Sequence, residues 1–145
     1  MAEARREPGL LDTSVVIDLE RIDPASLPAT MAVSAVTMAE LAAGPHATAD
    51  REERARRQDR LQRAEATFAP LPFDAKAARA FGRLYAAVAG KGRKARGRRA
   101  VDLLIAATAM AEGLPLYTRN PDDFAGLGGI LDLRTVGLAE DRPRT

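Results

Sequence analysis

The sequence predicts an α/β fold, one domain in which a mainly parallel central sheet is sandwiched between helices. Three observations carry this expectation. Short apolar runs alternate with helical patterns along the whole chain, which is the order that crossover-connected parallel strands require. The runs are continuously apolar, as in strands covered on both faces. Residues 101–112 are apolar nearly all round, which suits a helix buried by its neighbours.

The elements follow in order. Pro8-Gly9 leads into a strand at Leu10-Leu11 that ends at Asp12, and Thr13 and Ser14 offer caps for a helix to about Glu20. Beyond a loop bounded by Pro24 and Pro28, residues 31–34 read as a second strand. A helix beginning at Thr37 stops at Gly44-Pro45. Residues 50–67 are highly charged, with Ala55, Leu61 and Ala64 among their few apolar positions, so a solvent-facing helix is expected. Residues 68–73 contain prolines and read as an edge strand. Asp74 caps a helix to about Ala89, whose Ala77, Phe81, Leu84 and Val88 recur at helical spacing. Residues 90–99 form a glycine-broken basic loop. Asp102 opens the buried helix, which ends at Gly113. Residues 114–118 read as a strand, 121–127 as a short helix or turn, and 130–136 as the last strand. The termini, 1–7 and 138–145, are polar and expected to be loose.

Composition removes many chemistries. The 145 residues suit one domain. There is no cysteine, hence no disulfide, no thiolate metal site and no cysteine nucleophile. His46 is the one histidine, so paired-histidine acid–base work is unavailable, and its place beside Pro45 reads as a surface loop. No G-x-S-x-G, P-loop or G-x-G-x-x-G occurs. The first residues lack an apolar signal core, and the longest apolar stretch, 103–111, is too short for a bilayer. A cytoplasmic protein without membrane attachment is expected. With 4% aromatics, base stacking is excluded as the main source of nucleic-acid affinity.

What remains is carboxylates near the expected strand ends: Asp12, Glu40, Asp102, Asp122 and Asp123. A parallel sheet gathers such groups at one edge. Crowded carboxylates repel unless a cation neutralises them, and hard oxygen ligands favour magnesium or manganese. That chemistry is metal-assisted phosphodiester hydrolysis. Each acid also has a structural reading. Asp12 can cap the first helix, although Thr13 and Ser14 are available for that. Thr37-x-x-Glu40 fits a capping box. Asp102 suits the positive end of a helix dipole. Asp18 reads as solvated, and Ser14 and Thr118 either contact the site or cap. Lys91, Arg93, Lys94, Arg96, Arg98 and Arg99 crowd the basic loop, which either is solvated or grips RNA phosphates.

Four segments resemble the motifs of PIN-domain nucleases, in family order. They are Leu10-Leu11-Asp12-Thr13-Ser14-Val15-Val16-Ile17-Asp18-Leu19, then Ser34-Ala35-Val36-Thr37-Met38-Ala39-Glu40-Leu41, then Asp102-Leu103-Leu104-Ile105-Ala106-Ala107-Thr108-Ala109, and last Leu116-Tyr117-Thr118-Arg119-Asn120-Pro121-Asp122-Asp123-Phe124. The resemblance implies a PIN-like sandwich in which Asp12 and Asp102 bind Mg2+, with Mn2+ able to substitute, and Glu40 orients the site or holds a second metal through water. Asn120 stands where some members carry aspartate, so Asp123, preceding Phe124 as in the common pattern, is taken as the fourth acid. Candidate substrate contacts are Ser14, Thr118, Asn120, Arg96, Arg98 and Arg99. The small size resembles VapC toxins, which implies an RNA substrate, a homodimer and a silencing VapB-like antitoxin. That antitoxin would place an arginine among Asp12, Glu40 and Asp102, over a groove supplied by Val16, Leu19, Leu41 and Ala42. A housekeeping PIN nuclease without an antitoxin, or a non-catalytic binding module, are the alternatives.

Overall fold

Successive side chains of a strand point to opposite faces, so Leu10 and Leu11, both fully buried, belong to two different cores. That arrangement sets the architecture. The computed structural model describes residues 7–92 and 96–139. Its strands are β1 (Gly9–Leu11), β2 (Met31–Val33), β3 (Leu116–Thr118) and β4 (Leu133–Thr135). Its helices are α1 (Thr13–Ile17), α2 (Ala35–Ala43), α3 (Arg51–Thr67), α4 (Ala75–Gly90) and α5 (Arg98–Glu112), with short 3-10 turns between them. The strands form one sheet in the order β2-β1-β3-β4, every pair parallel. In register, Leu10 pairs with Ala32 and Leu116, and Leu11 with Val33 and Tyr117. Leu10 and Leu116 pack with Leu84, Ile105 and Phe124 on one face. Leu11, Val33 and Tyr117 pack with Val15, Leu41 and Val136 on the other. The expected α/β sandwich with a parallel sheet is therefore the observed one.

Local chemistry sets the helix ends. Ser34 Oγ accepts from the Thr37 amide at 3.0 Å, so α2 starts two residues before Thr37. Asp50 caps α3 and Asp74 caps α4, the latter through the Ala77 amide at 3.0 Å. α5 ends at Gly113, whose φ of 65° is left-handed and whose amide meets the Met110 carbonyl. On α3 only Ala64 is fully buried, as its charge pattern predicts. Arg54 and Arg57 hold that helix by donating to the carbonyls of Pro45 and Gly44.

Several expectations are corrected. Residues 68–73 form no strand. Leu71 alone makes a parallel bridge to Ser34, because Pro70 and Pro72 lack the amides that a ladder needs. The first helix stops at Ile17, and a 3-10 turn, Leu19–Arg21, replaces its end. The basic loop is shorter than expected: α4 runs through Gly90, and Arg98 and Arg99 already lie in α5. Arg93 and Lys94 lie outside the described residues, as do 1–6 and 140–145. Leu138 is not loose, since it bridges antiparallel to Ile22 and packs on the second core. Val16 and Leu41 pack into that core, yet each also lines a surface cavity, Val16 together with Leu19, and Ala42 is exposed. Among the described residues, no helix is long and apolar enough to cross a membrane.

Gly9 shows how tightly β1 is enclosed. A Cβ there would stand 2.4 Å from Cε1 of the buried Tyr117 ring and 3.1 Å from Cγ of Pro28. Gly9→Ala is therefore expected to cost about 1–3 kcal/mol of folding free energy through overpacking, readable as a lower urea midpoint with unchanged slope.

Candidate active site

The sheet's topology makes a crevice before any side chain is considered. β1 continues to β2 on one side, and β3 continues to β4 on the other, so the chain order reverses between the adjacent strands β1 and β3. Parallel sheets bind ligands at that point, beyond the carboxyl ends of the strands. Asp12 directly follows β1. Glu40 lies on α2, after β2. Asp123 lies in the 3-10 turn Pro121–Phe124, after β3. α5 runs back along the sheet before β3, which brings its amino-terminal half, with Asp102, to the same edge.

Asp12 is buried, 4% exposed. Its Oδ1 accepts from the Val15 amide at 3.1 Å and from Ser14 Oγ at 2.6 Å. Asp12 is thus the cap of α1 itself, a task that Thr13 and Ser14 seemed free to take. Burial pushes its carboxyl up from the ordinary range, the bonds from Ser14, Thr118 and Val15 pull it back, and the charge of Asp123 raises it again. Ser14 and Thr118 are therefore engaged with Asp12, and the fully buried Thr118 has no face for a substrate. Two further bonds fix them: the Arg119 amide donates to Ser14 Oγ at 3.1 Å, and the Asn120 amide to Thr118 Oγ1 at 2.9 Å. Asn120 itself is exposed. The Arg119 guanidinium pairs with Asp18, which is consequently not merely solvated.

Glu40 is the sixth residue of α2, beyond its first turn, and takes no part in a capping box; Ser34 has that role. Instead, Thr13 Oγ1 lies 2.6 Å from Glu40 Oε1 and 3.1 Å from Thr37 Oγ1. A hydroxyl has one proton and an ionised carboxylate only accepts. Thr13 therefore donates to Glu40 and accepts from Thr37, which in turn lies 3.3 Å from Ser34 Oγ. This buried row of hydroxyls aims the acid. Sequence reading missed Thr13 and Thr37 in that role, because nothing in the pattern distinguishes them from ordinary helix-start residues.

Asp102 is the fifth residue of α5, past the turn where a helix dipole acts. It is 8% exposed and its carboxyl is pushed up to about 7, first by burial, then by the charge of Asp123, with Glu40 and Asp12 adding smaller amounts and Arg98 opposing. Asp12, Glu40, Asp102 and Asp123 thus share one electrostatic neighbourhood. Among the basic candidates, Arg96 and Arg98 are exposed and Arg99 half-buried, and the charge of Arg98 acts on Asp102. His46 is exposed, as expected.

Among the described residues, no three Asp, Glu or His side chains converge into a ready-made metal cage. Magnesium does not need one, since it binds through one or two carboxylates and keeps several waters. The all-oxygen donor set and the unneutralised negative charge fit that ion and not zinc, which prefers nitrogen or sulfur.

Residues 9–129 match the PIN domain family. The chain belongs to the PIN-domain family. It is 40% identical over 131 residues to Ribonuclease VapC5 of Mycobacterium tuberculosis, a match spanning 88% of this chain and 93% of that one. The crystal structure of a VapBC toxin–antitoxin member, VapBC-5 of Mycobacterium tuberculosis, superposes with a TM-score of 0.77 at 39% identity, covering 90% of this chain and 98% of that chain. VapBC2 of Rickettsia felis, solved bound to a promoter DNA fragment, gives a TM-score of 0.68 at 25% identity over 90% of this chain and 100% of that chain. The PIN-domain resemblance read from the four motifs is borne out, as is the VapC likeness read from the small size.

The raised Asp102 has a consequence for stability. Below pH 4 the carboxyl is protonated in the folded and unfolded PIN domain alike. Between pH 4 and 7 the unfolded chain releases the proton and the folded one keeps it, so stability falls as pH rises through that window. Asp102→Asn removes this slope. In metal-free buffer above pH 8 the variant is expected to be more stable than the parent by about 1–3 kcal/mol. Thermal melts from pH 4 to 8 check this; parallel curves for the two proteins would refute it.

Proposed function

We propose that this PIN domain is a divalent-metal-dependent endoribonuclease, the toxin of a VapBC-type pair. The observation that carries the reading is the meeting of Asp12, Glu40, Asp102 and Asp123, from four separate elements, at the switch point of a parallel sheet. The printed functions of the relatives support it: a ribonuclease in one case, toxin–antitoxin complexes in the others.

In this reading Asp12 and Asp102 hold magnesium, with manganese able to replace it. When bound, the ion lowers the pKa of a water and offsets charge on the phosphoryl oxygens. The chain's own residues do the rest. Ser14, Val15 and Thr118 keep Asp12 aimed and favour its ionised form. Asp102 gives up its proton near neutrality, which adds its charge to the pocket. Glu40 has Oε1 fixed by Thr13, and its other oxygen is free to accept a proton from the attacking water. Asp123 adds a fourth negative charge beside Asp12 and Asp102. The same pocket attracts the planar fork of an arginine, which is how a VapB-like antitoxin would silence it. The toxin is expected to act as a homodimer.

Purified protein incubated with total RNA is expected to cleave in magnesium or manganese and to stop in excess chelator. Asp12→Asn keeps a residue that caps as well as aspartate, so it is expected to fold with little change while cleavage falls by about a hundredfold or more. Glu40→Gln is likewise expected to be folded and inactive. Cleavage at parental rates in chelator, or by a folded Asp12→Asn protein, would overturn the mechanism.

A further inference from the structure

Beside the carboxylates lies a cavity of about 340 Å³ between α3, α2 and the start of α5. Thr13 and Glu40 are among its lining residues. Arg57, Arg60, Arg98 and Glu53 line it too. These charges are not equivalent. Arg57 is committed to structure: its Nε donates to Glu53 at 3.1 Å and its Nη1 to the Gly44 carbonyl at 2.9 Å. Glu53 is committed as well, since its other oxygen accepts from Arg56 at 2.7 Å. Arg60 and Arg98 differ. Neither makes a hydrogen bond or ion pair with any described residue, although Arg60 is half-buried and most other arginines of α3 are engaged. Arg60 also lines a neighbouring cavity of about 290 Å³ beside Ile17 and Asp18, so it stands where the two meet.

We propose that Arg60 and Arg98 form a phosphate subsite, which seats an RNA backbone phosphate next to the one held at the carboxylates. This rests on the ribonuclease reading above. Once Glu53 and Arg57 cancel, Arg60 and Arg98 outnumber Glu40 among the charged residues that line the cavity, with the charge of Arg98 also acting on Asp102. A guanidinium fork matches two phosphate oxygens. The cavity adjoins Glu40, so a strand whose scissile phosphate lies among the acids brings a neighbouring phosphate within its walls. Such a contact reads backbone rather than sequence, and fixes register. An acidic segment of a protein partner is the competing occupant. It is disfavoured because Glu40 at the cavity's edge belongs to the cleavage machinery, where a substrate must lie.

The test uses the full chain and labelled single-stranded RNA of mixed sequence, with anisotropy read in chelator so that nothing is cut. Arg60→Gln is expected to weaken binding about tenfold at low salt and to lower the log–log salt slope by about 0.7. Arg60→Lys, which keeps the charge, retains the slope. In magnesium, Arg60→Gln raises KM more than it lowers kcat. Arg83→Gln, on the exposed side of α4, changes none of these. Melting curves verify that each variant is folded. If the parent binds and cleaves RNA but Arg60→Gln matches it in affinity and slope, the subsite is refuted while the ribonuclease reading stands. If Arg60→Gln instead loses only capture by a co-expressed antitoxin, the cavity serves a protein segment and the proposal falls. A parent that neither binds nor cleaves RNA overturns both.

Discussion

Mutual repulsion among Asp12, Glu40, Asp102 and Asp123 is the constraint on which the rest of this molecule depends. Two of the four acids are almost wholly buried. Isolated in a low dielectric, such charges would be expelled or protonated. The fold holds them by enclosing β1 and β3 between two apolar cores, whose burial outweighs the local cost. It then treats each acid differently. Asp12 receives an amide and hydroxyls, Glu40 a hydroxyl row, and Asp102 chiefly burial and the opposing pull of Arg98. The differences follow from position, since Asp12 sits at a helix start with amides to spare and Asp102 lies inside a helix whose amides are used.

This explains which parts of the molecule could be read beforehand. The parallel sheet was legible because Leu10, Leu11 and the apolar face of α5 leave no other way to bury themselves. The acids were legible as a set, because each follows a strand or opens toward the sheet edge. Boundaries were not. Thr37 resembles a helix start, yet Ser34 takes the cap, because its hydroxyl is buried beside the Thr37 amide. The run containing Pro70 and Pro72 has strand-like flanks, but too few donors for a ladder. Arg60 carried no signal at all. In a helix dense with arginine, the partners taken by Arg54, Arg56, Arg57 and Arg63 and the cavity wall beneath Arg60 set it apart.

Asp12 serves twice, as the cap of α1 and as a member of the acid cluster. A cap and a reactive acid want the same thing, an ionised carboxylate held at fixed orientation where amide donors converge. Placing the acid at the first residue after a strand meets both needs with one side chain. Glu40 shows the opposite solution. The capping task is given to a separate residue, so that the longer glutamate is free to reach across to α1.

The strand order also governs when the site comes into being. β1, at the amino-terminal end, completes its pairing only with β3, through Leu10 with Leu116 and Leu11 with Tyr117. Contacts so distant in sequence form late and slowly, because a long loop must close before any of them is rewarded. Asp123 comes later still. A growing or partly folded chain therefore has Asp12 and Glu40 without the acids they work beside, and the complete charge cluster belongs to the finished fold alone.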